Sequence, residues 1–166
     1  MKVKDAMTPD PVTVSMQTTV SEAAGLLRKN RIGGLPVVDG ERLVGIVTES
    51  DILTLLSTGD ISNDLWLPSP LEIIEVPIRE FINWEKTKKA LSDIGSTHVQ
   101  DVMTSDVIAV DADATIEEAA SLMLREGIAR LPVLAKGRLA GIVTRLDIVR
   151  AIGAGYEDPA ERGDKE

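Results

Sequence analysis

The chain has 166 residues, 43% apolar and 27% charged, which is the composition of a globular protein of one domain or one tight pair. Its net charge of −9 disfavours general nucleic-acid binding, because a negative chain repels phosphate backbones. The sequence has no cysteine and one histidine, His98, which excludes disulfides, thiolate metal sites and multi-histidine metal sites. It shows neither an apolar run of about 18 residues nor the apolar core of a signal peptide, so we expect a cytoplasmic protein without a membrane span.

The sequence contains two copies of one unit. Residues 7–52 align with residues 103–148 at a constant offset of 96 without a gap, and 21 of the 46 aligned positions are identical. Both copies carry Met-Thr, Glu-Ala-Ala, Leu-Pro-Val and Gly-Ile-Val-Thr-x-x-Asp-Ile in the same order. Chance does not produce this agreement, so the chain is an internal duplication.

Each copy predicts the element order β-α-β-β-α. In the first copy, Thr19 and Glu22 have the capping-box spacing of a helix start, and Asp39-Gly40 marks a hairpin turn. A second helix begins at Thr48, and the second copy repeats both helix starts 96 positions later. The predicted extended segments are 11–15 and 107–111, and the predicted hairpin strands of the first copy are 35–38 and 43–47.

The predicted fold class is α+β, with two β-α-β-β-α repeats packed as a pseudo-two-fold pair and an inserted segment between them. A unit of about 50 residues is too small for a good core of its own, so we expect the copies to share one and to form two related clefts. The inserted segment is predicted to contain a strand at 71–76 and a helix at 79–94. Trp66 and Trp84 are assigned to its core, with a cleft cover or a partner surface as the alternatives. The predicted boundaries are 1–56 for the first repeat, 57–98 for the inserted linker, 99–152 for the second repeat and 153–166 for a flexible charged tail.

The Gly-Ile-Val-Thr-x-x-Asp motif, at residues 45–51 and 141–147, is the strongest candidate for a ligand site. A strand leads into a helix start, where unpaired N–H groups suit an anion such as phosphate. The glycine lets the backbone come close, the threonine hydroxyl adds a donor, and the aspartate can accept two hydrogen bonds from a ribose diol. Thr-x-x-Asp is also a helix-capping sequence, and the ligand-binding and capping interpretations are compatible.

These motifs, in this order, resemble the CBS domain, named for cystathionine β-synthase, present as a tandem pair over roughly residues 1–56 and 97–152. The resemblance implies a regulatory module that binds AMP, ADP, ATP or S-adenosylmethionine. It further implies that each cleft takes the threonine and aspartate of one repeat. The adenine would rest on the first strand and on the residues before Leu-Pro of the other repeat.

Carried over by position, the resemblance implies two clefts that draw on both repeats. One cleft would use Thr48 and Asp51, with adenine near Ile108, Ile128 and Ala129. The other would use Thr144 and Asp147, with adenine near Val12, Ile32, Gly33 and Gly34.

The two clefts are predicted to differ in charge. Family members often carry a basic residue before Leu-Pro that reaches phosphate, and Arg130 holds this position where the first repeat has Gly34. Arg145 follows Thr144, whereas Glu49 follows the threonine of the first repeat. We therefore expect tighter binding of phosphorylated ligands at the second cleft. The alternatives for Arg130 are an exposed strand-edge arginine or a charge lent to the adenine pocket of the first cleft, and the alternative for Arg145 is an exposed helix-end charge. His98 is interpreted as a surface or packing residue.

The leading functional hypothesis is a sensor of AMP, ADP or ATP that has no catalytic cofactor, is not an enzyme, and signals to a separate, unidentified effector protein. The alternatives are a structural oligomerisation module with decayed sites, an S-adenosylmethionine sensor, and a nucleotide hydrolase built on the scattered acids of the inserted segment. A homodimer is expected, because the second helix of each repeat has an apolar arc too wide for one buried face. That arc consists of Ile52, Leu53, Leu55 and Leu56 in the first repeat and of Ile148, Val149, Ala151 and Ile152 in the second.

Overall fold

The computed structural model describes residues 1–58 and 81–154, and the side chains of residues 1–56 and 88–154. The predicted strand at 71–76, residues 155–166 of the predicted tail, and the side chains of Trp66 and Trp84 lie outside these residues, whereas residues 153–154 of the predicted tail belong to the last helix. The helices are α1 (Val3–Ala6), α2 (Val20–Asn30), α3 (Glu49–Thr58), α4 (Phe81–Ser96), α5 (Ile116–Arg125) and α6 (Arg145–Ala154), with a 3-10 turn at Val99–Asp101. The strands are β1 (Thr8–Pro9), β2 (Gly34–Asp39), β3 (Arg42–Thr48), β4 (Val110–Asp111), β5 (Arg130–Ala135) and β6 (Arg138–Thr144).

The predicted α+β class with two β-α-β-β-α repeats is confirmed. In the second repeat β4 pairs with β5 in parallel and β5 pairs with β6 antiparallel. In the first repeat β2 and β3 form the hairpin, while the predicted strand 11–15 is reduced to one parallel bridge between Val14 and Val37. The amide of Val14 donates to Pro36 O at 3.1 Å, and its carbonyl accepts from Val38 N at 2.9 Å, so this segment still lines the hairpin.

The predicted capping boxes and the predicted hairpin turn are present in the structure. Thr19 Oγ1 accepts from Glu22 N at 3.2 Å, and Glu22 Oε2 accepts from Thr19 N at 2.8 Å, which completes the capping box at the start of α2. Thr115 and Glu118 make the same pair of bonds at the start of α5. Gly40 has a φ of +61° at the hairpin turn, a conformation that glycine adopts without a side-chain clash.

The described residues form two units, which do not coincide with the two sequence repeats. Unit 1 comprises the described residues of Met1–Pro11, Gly40–Leu43 and Asp106–Glu166. Unit 2 comprises Val12–Asp39 and the described residues of Val44–Ser105. The second repeat is therefore completed by the first residues of the first repeat, up to Pro11, and the first repeat by the first residues of the second, up to Ser105.

In unit 1, the chain start packs against the second repeat. Val3 is fully buried in the core, and its amide donates to Ala114 O at 2.8 Å. Strand β1 pairs antiparallel with β6, where Thr8 lies opposite Ile142. Lys2 Nζ and Lys4 Nζ both contact Asp113 Oδ1, at 3.0 and 2.8 Å. The core around Val3 consists of Val110, Ala112, Ala119, Met123, Leu131, Val133, Val143 and Ile148.

Unit 2 repeats this arrangement with residues 96 positions away. Val99 is fully buried and its amide donates to Thr18 O at 2.8 Å, as Val3 does to Ala114 in unit 1. Helix α4, close to the helix predicted at 79–94, packs against α2. The surrounding core consists of Val14, Ala23, Leu27, Leu35, Val37 and Val47.

Candidate functional site

In unit 2, the Thr-x-x-Asp motif forms a helix cap. Thr48 is the last residue of β3, and its amide and hydroxyl both donate to Asp51 Oδ2, at 2.7 and 2.8 Å. Asp51 N donates back to Thr48 Oγ1 at 3.4 Å. The two side chains are partly buried and hold each other at the start of α3.

Unit 1 contains the same cap at the start of α6. Thr144 N and Thr144 Oγ1 donate to Asp147 Oδ2 at 2.8 and 2.7 Å, and Asp147 N donates to Thr144 Oγ1 at 3.2 Å. Asp147 is 15% exposed. Repetition of the bonds to within 0.2 Å shows that both motifs fix the aspartate in one orientation.

The cap commits one carboxylate oxygen and leaves the other available. Oδ2 of Asp51 and of Asp147 accepts two hydrogen bonds each, whereas no hydrogen bond reaches either Oδ1 among residues 1–56 and 88–154, whose side chains the structure describes. A carboxylate oxygen can accept about two hydrogen bonds, so each Oδ1 has the capacity to receive a ligand hydroxyl. The capping interpretation is thus confirmed, and the ribose-binding interpretation stays compatible with it.

Two kinds of donor expected at this site already have partners. The threonine hydroxyl gives its hydrogen to the aspartate, so it is not a spare donor for a ligand. The first amide of α3, Glu49 N, donates to Gly33 O at 3.2 Å, and the first amide of α6, Arg145 N, donates to Ala129 O at 3.1 Å. These amides are paired within their own unit, where the sequence predicted unpaired groups. Because its hydroxyl is bonded to the aspartate, the threonine acts by positioning that side chain.

The residues proposed to contact adenine fall into two sets, one in each unit. In unit 2, Val12 and Ile32 are half-buried against the core, Gly33 is half-buried and Gly34 is buried. In unit 1, the residues are Ile108 and Ile128, half-buried against the core, and exposed Ala129. Each predicted cleft draws its threonine–aspartate pair from one unit and its adenine contacts from the other, and this combination stays a prediction.

Three arginines lie around Thr144 and Asp147 in unit 1. Arg130 is directly opposite Thr144 in the β5–β6 pairing. Arg145 Nε donates to Ile128 O at 3.1 Å, so its guanidinium is attached to the turn before β5. Arg150 NH1 lies 3.8 Å from Asp147 Oδ1, the oxygen that the cap leaves available. Arg150 was not among the residues predicted from the sequence, although its spacing of three residues from Asp147 on a helix is a signal for such a pair.

The motif glycines serve a different purpose from the expected one. A Cβ on Gly141 would lie 2.5 Å from Met7 Sδ, and a Cβ on Gly45 would lie 2.5 Å from Met103 Sδ. The glycines thus make room for the Met-Thr segment that completes each repeat, where the sequence suggested room for a ligand.

An open groove of about 560 Å³ runs along α2 in unit 2. Its lining includes Thr13, Ser15, Glu22, Gly25 and Lys29, but neither Thr48 nor Asp51. Among the described side chains of residues 1–56 and 88–154, no cluster of three or more histidine or acidic groups is placed to hold a metal ion. No helix within residues 1–58 and 81–154 is both long enough and apolar enough to cross a membrane.

Known proteins match this chain over nearly its whole length. The family model of the CBS domain matches residues 3–58 and 99–154. The uncharacterised protein MJ1426 of Methanocaldococcus jannaschii is 41% identical over 154 residues, which cover 92% of this chain and 91% of that protein. Other relatives are longer: the chain spans 57% of the chloroplast protein CBSX1 of Arabidopsis thaliana and 22% of inosine-5′-monophosphate dehydrogenase of Korarchaeum cryptofilum.

Two solved structures with bound ligands have the same fold. The structure of CBSX2 in complex with AMP is 31% identical, with a TM-score of 0.69, and covers 94% of this chain and 99% of that one. The CBS domain pair of protein MJ0100, in complex with 5′-methylthioadenosine and S-adenosyl-L-methionine, is 26% identical, with a TM-score of 0.68 and coverages of 94% and 98%. The chain therefore belongs to the CBS-domain family and carries that domain twice.

Proposed function

We propose that this chain is a regulatory CBS pair that binds an adenosine ligand through Asp51 and Asp147, performs no chemistry on it, and signals to a separate effector protein. The observation that carries the proposal is the shared geometry of the two caps. Each cap holds the aspartate by Oδ2 and leaves Oδ1 to accept from a ligand. CBSX2 with AMP and MJ0100 with 5′-methylthioadenosine and S-adenosyl-L-methionine support the ligand class.

A ribose diol is the ligand group that best suits this oxygen. Its two hydroxyls can donate to the carboxylate, and hydrogen bonds to an ionised acceptor are stronger than neutral ones. Since the threonine already fixes the carboxylate, little side-chain entropy is lost when the ligand binds. We assign the adenine contacts to Ile108, Ile128 and Ala129 for the Asp51 site, and to Val12, Ile32, Gly33 and Gly34 for the Asp147 site.

The charged residues favour AMP, ADP or ATP at the Asp147 site. Arg130 and Arg145 lie beside Thr144, and their positive charges would attract a phosphate. At the Asp51 site the corresponding residues are Gly34 and exposed Glu49, which offer no positive charge. This site better suits an uncharged or cationic ligand, which keeps S-adenosylmethionine as the second candidate.

We also propose that the chain forms a homodimer through α3 and α6. Leu53 on α3 is 62% exposed, and Val149 and Ile152 on α6 are 63% and 64% exposed. Leu146 adds a further exposed side chain to the stripe on α6. Covering these apolar surfaces with a second copy removes them from water, which is favourable at roughly 25 cal/mol per Å².

Calorimetry on ligand-stripped protein tests the proposed function. Titration with AMP, ADP, ATP and S-adenosylmethionine should give saturable binding of at least one of them, and a raised melting temperature at saturating ligand. ATP incubated with the protein and magnesium should be recovered unchanged. Failure of all four ligands to bind would favour the structural oligomerisation module, and hydrolysis of ATP would favour an enzyme.

A further inference from the structure

Arg150 faces the one carboxylate oxygen that the cap of unit 1 leaves available. It lies on α6, one turn after Asp147, with NH1 3.8 Å from Asp147 Oδ1. Its side chain is 70% exposed, whereas Asp147 is 15% exposed. The aspartate is therefore fixed by the cap, and the arginine is the member of the pair that can move.

The first repeat lacks this partner. The residue in the corresponding position is Thr54, whose hydroxyl donates to Ser50 O at 2.8 Å within α3. In the part of the chain that the structure describes, Asp51 takes part in no ion pair. The two sites thus share one cap and differ in the charge that faces Oδ1.

An arginine in this position affects ligand binding in two opposite ways. It competes with a ribose diol for Oδ1, which weakens the binding of every ribose ligand. It also offsets the charge of Asp147 and brings a mobile guanidinium, the side chain best suited to a phosphate. Because Arg150 is exposed and its NH1 lies 3.8 Å from Oδ1, the ion pair is weak, and a phosphate can draw the arginine away from Oδ1 at little cost.

We propose that Arg150 is a specificity-determining residue, which makes the Asp147 site select a phosphorylated adenosine ligand over an uncharged one. The proposal rests on the proposed function, since it takes Asp147 Oδ1 as the ribose acceptor. Arg150 releases Oδ1 to the ribose when a phosphate binds its guanidinium. Adenosine has no phosphate to bind the guanidinium, so Arg150 continues to compete with the ribose for Oδ1.

The test compares ATP with adenosine as ligands for Arg150→Thr, which installs the residue of the first repeat. Calorimetry is done in the intact chain and in an Asp51→Ala background, where the other site is disabled. We expect Arg150→Thr to weaken ATP binding about three- to tenfold, and to leave adenosine binding unchanged or to strengthen it up to about threefold. Arg150→Lys should keep most of the preference for ATP, and Thr54→Arg should raise that preference in an Asp147→Ala background.

A change of equal size and sign for both ligands would overturn the proposal, because it would indicate a merely structural role. No change in the affinity for either ligand would overturn it as well. Thermal unfolding of Arg150→Thr should match the parent, since the side chain is exposed. If the unaltered chain binds neither ligand, the proposed function itself fails, and this proposal fails with it.

Discussion

Met7 occupies the space that a side chain on Gly141 would need. Met7 Sδ lies 2.5 Å, and Thr8 O lies 2.8 Å, from the position of a Cβ at Gly141. The close approach joins the start of the chain to β6, the strand that ends at Thr144. The corresponding contacts in unit 2, of Met103 Sδ at 2.5 Å and Thr104 O at 3.2 Å with Gly45, leave the backbone more room.

We therefore expect Gly141→Ala to destabilise the protein more than Gly45→Ala does. A methionine end can move aside, but the backbone oxygen of Thr8 cannot, so overpacking at Gly141 should cost about 1–3 kcal/mol. Urea unfolding measures the loss. Gly153→Ala is the matched control, because its Cβ would meet nothing within 4 Å and alanine is the better helix former. Equal losses at Gly141 and Gly45 would contradict the role of Thr8 O.

The repeat pattern was sufficient to predict the element order, because capping boxes and hairpin turns depend on residues a few positions apart. It could not predict the contact of Met7 with Gly141, since no local periodicity links residues so distant in the chain. The Thr-x-x-Asp pair was identified correctly as a cap, whereas the hydroxyl hydrogen bond that makes Thr144 a positioning residue required coordinates. Arg150 was detectable from its spacing and was missed because the family motif ends at Asp147.

Asp147→Ala should weaken the binding of an adenosine ligand at least about tenfold while the protein stays folded. The variant loses two hydrogen bonds to a charged acceptor, worth about 1.5–3 kcal/mol each before compensation. Thr144 still serves part of the cap. Calorimetry with AMP, together with circular dichroism, separates the two effects. Unchanged affinity would contradict the ribose role, and loss of the fold would leave capping as the main role of Asp147.

The packing of the chain start against the second repeat should weaken at low pH. Hydrogen bonds from Lys4 and Lys2 lower the pKa of Asp113 to about 2 from its usual 3.8. Because the folded pKa lies below the unfolded one, the carboxylate stabilises this contact above pH 3.8, and the effect is lost as the pH falls toward 2. NMR of the Val3 amide, which donates to Ala114 O, should show reduced protection over this range.

Asp113→Asn should reproduce that loosening at neutral pH, because it removes the charge and keeps the shape. The Val99 amide in unit 2 is the internal control. Its protection should not change, because the position that corresponds to Asp113 in the first repeat is Gln17, which carries no charge. Equal changes at Val3 and Val99 in the variant would show that the ion pairs do not hold the start of the chain.

The exposed stripe on α6 predicts a dimer that one charge can disrupt. Light scattering should give twice the chain mass at micromolar concentration, and Val149→Lys should shift it toward the monomer without unfolding it, since the side chain is 63% exposed. Lys29→Ala, a change at an exposed residue of α2, is the control and should leave the dimer intact. A monomer mass for the unaltered chain would contradict the proposed interface.

The charge difference between the two sites predicts opposite effects of two reciprocal substitutions on AMP binding. A contact between single charges near a protein surface is worth roughly 4 kcal/mol at 4 Å and an effective dielectric of about 20, and a third of that is about tenfold in affinity. Arg145→Glu should therefore weaken AMP binding at the Asp147 site about tenfold. Glu49→Arg should strengthen it at the Asp51 site by a similar factor.

Arg145 has a structural contact besides its charge. Arg145 Nε donates to Ile128 O, so Arg145→Glu also removes a hydrogen bond that supports the turn before β5. Arg145→Gln separates these contributions, since it removes the charge without adding a negative one and should produce an intermediate loss. The charge effect should shrink in high salt and disappear for adenosine, whereas damage to the turn would lower the affinity for both ligands at any salt concentration. If Arg145→Glu leaves AMP binding intact, or Glu49→Arg gains nothing, the difference in charge does not set the preference of the two sites.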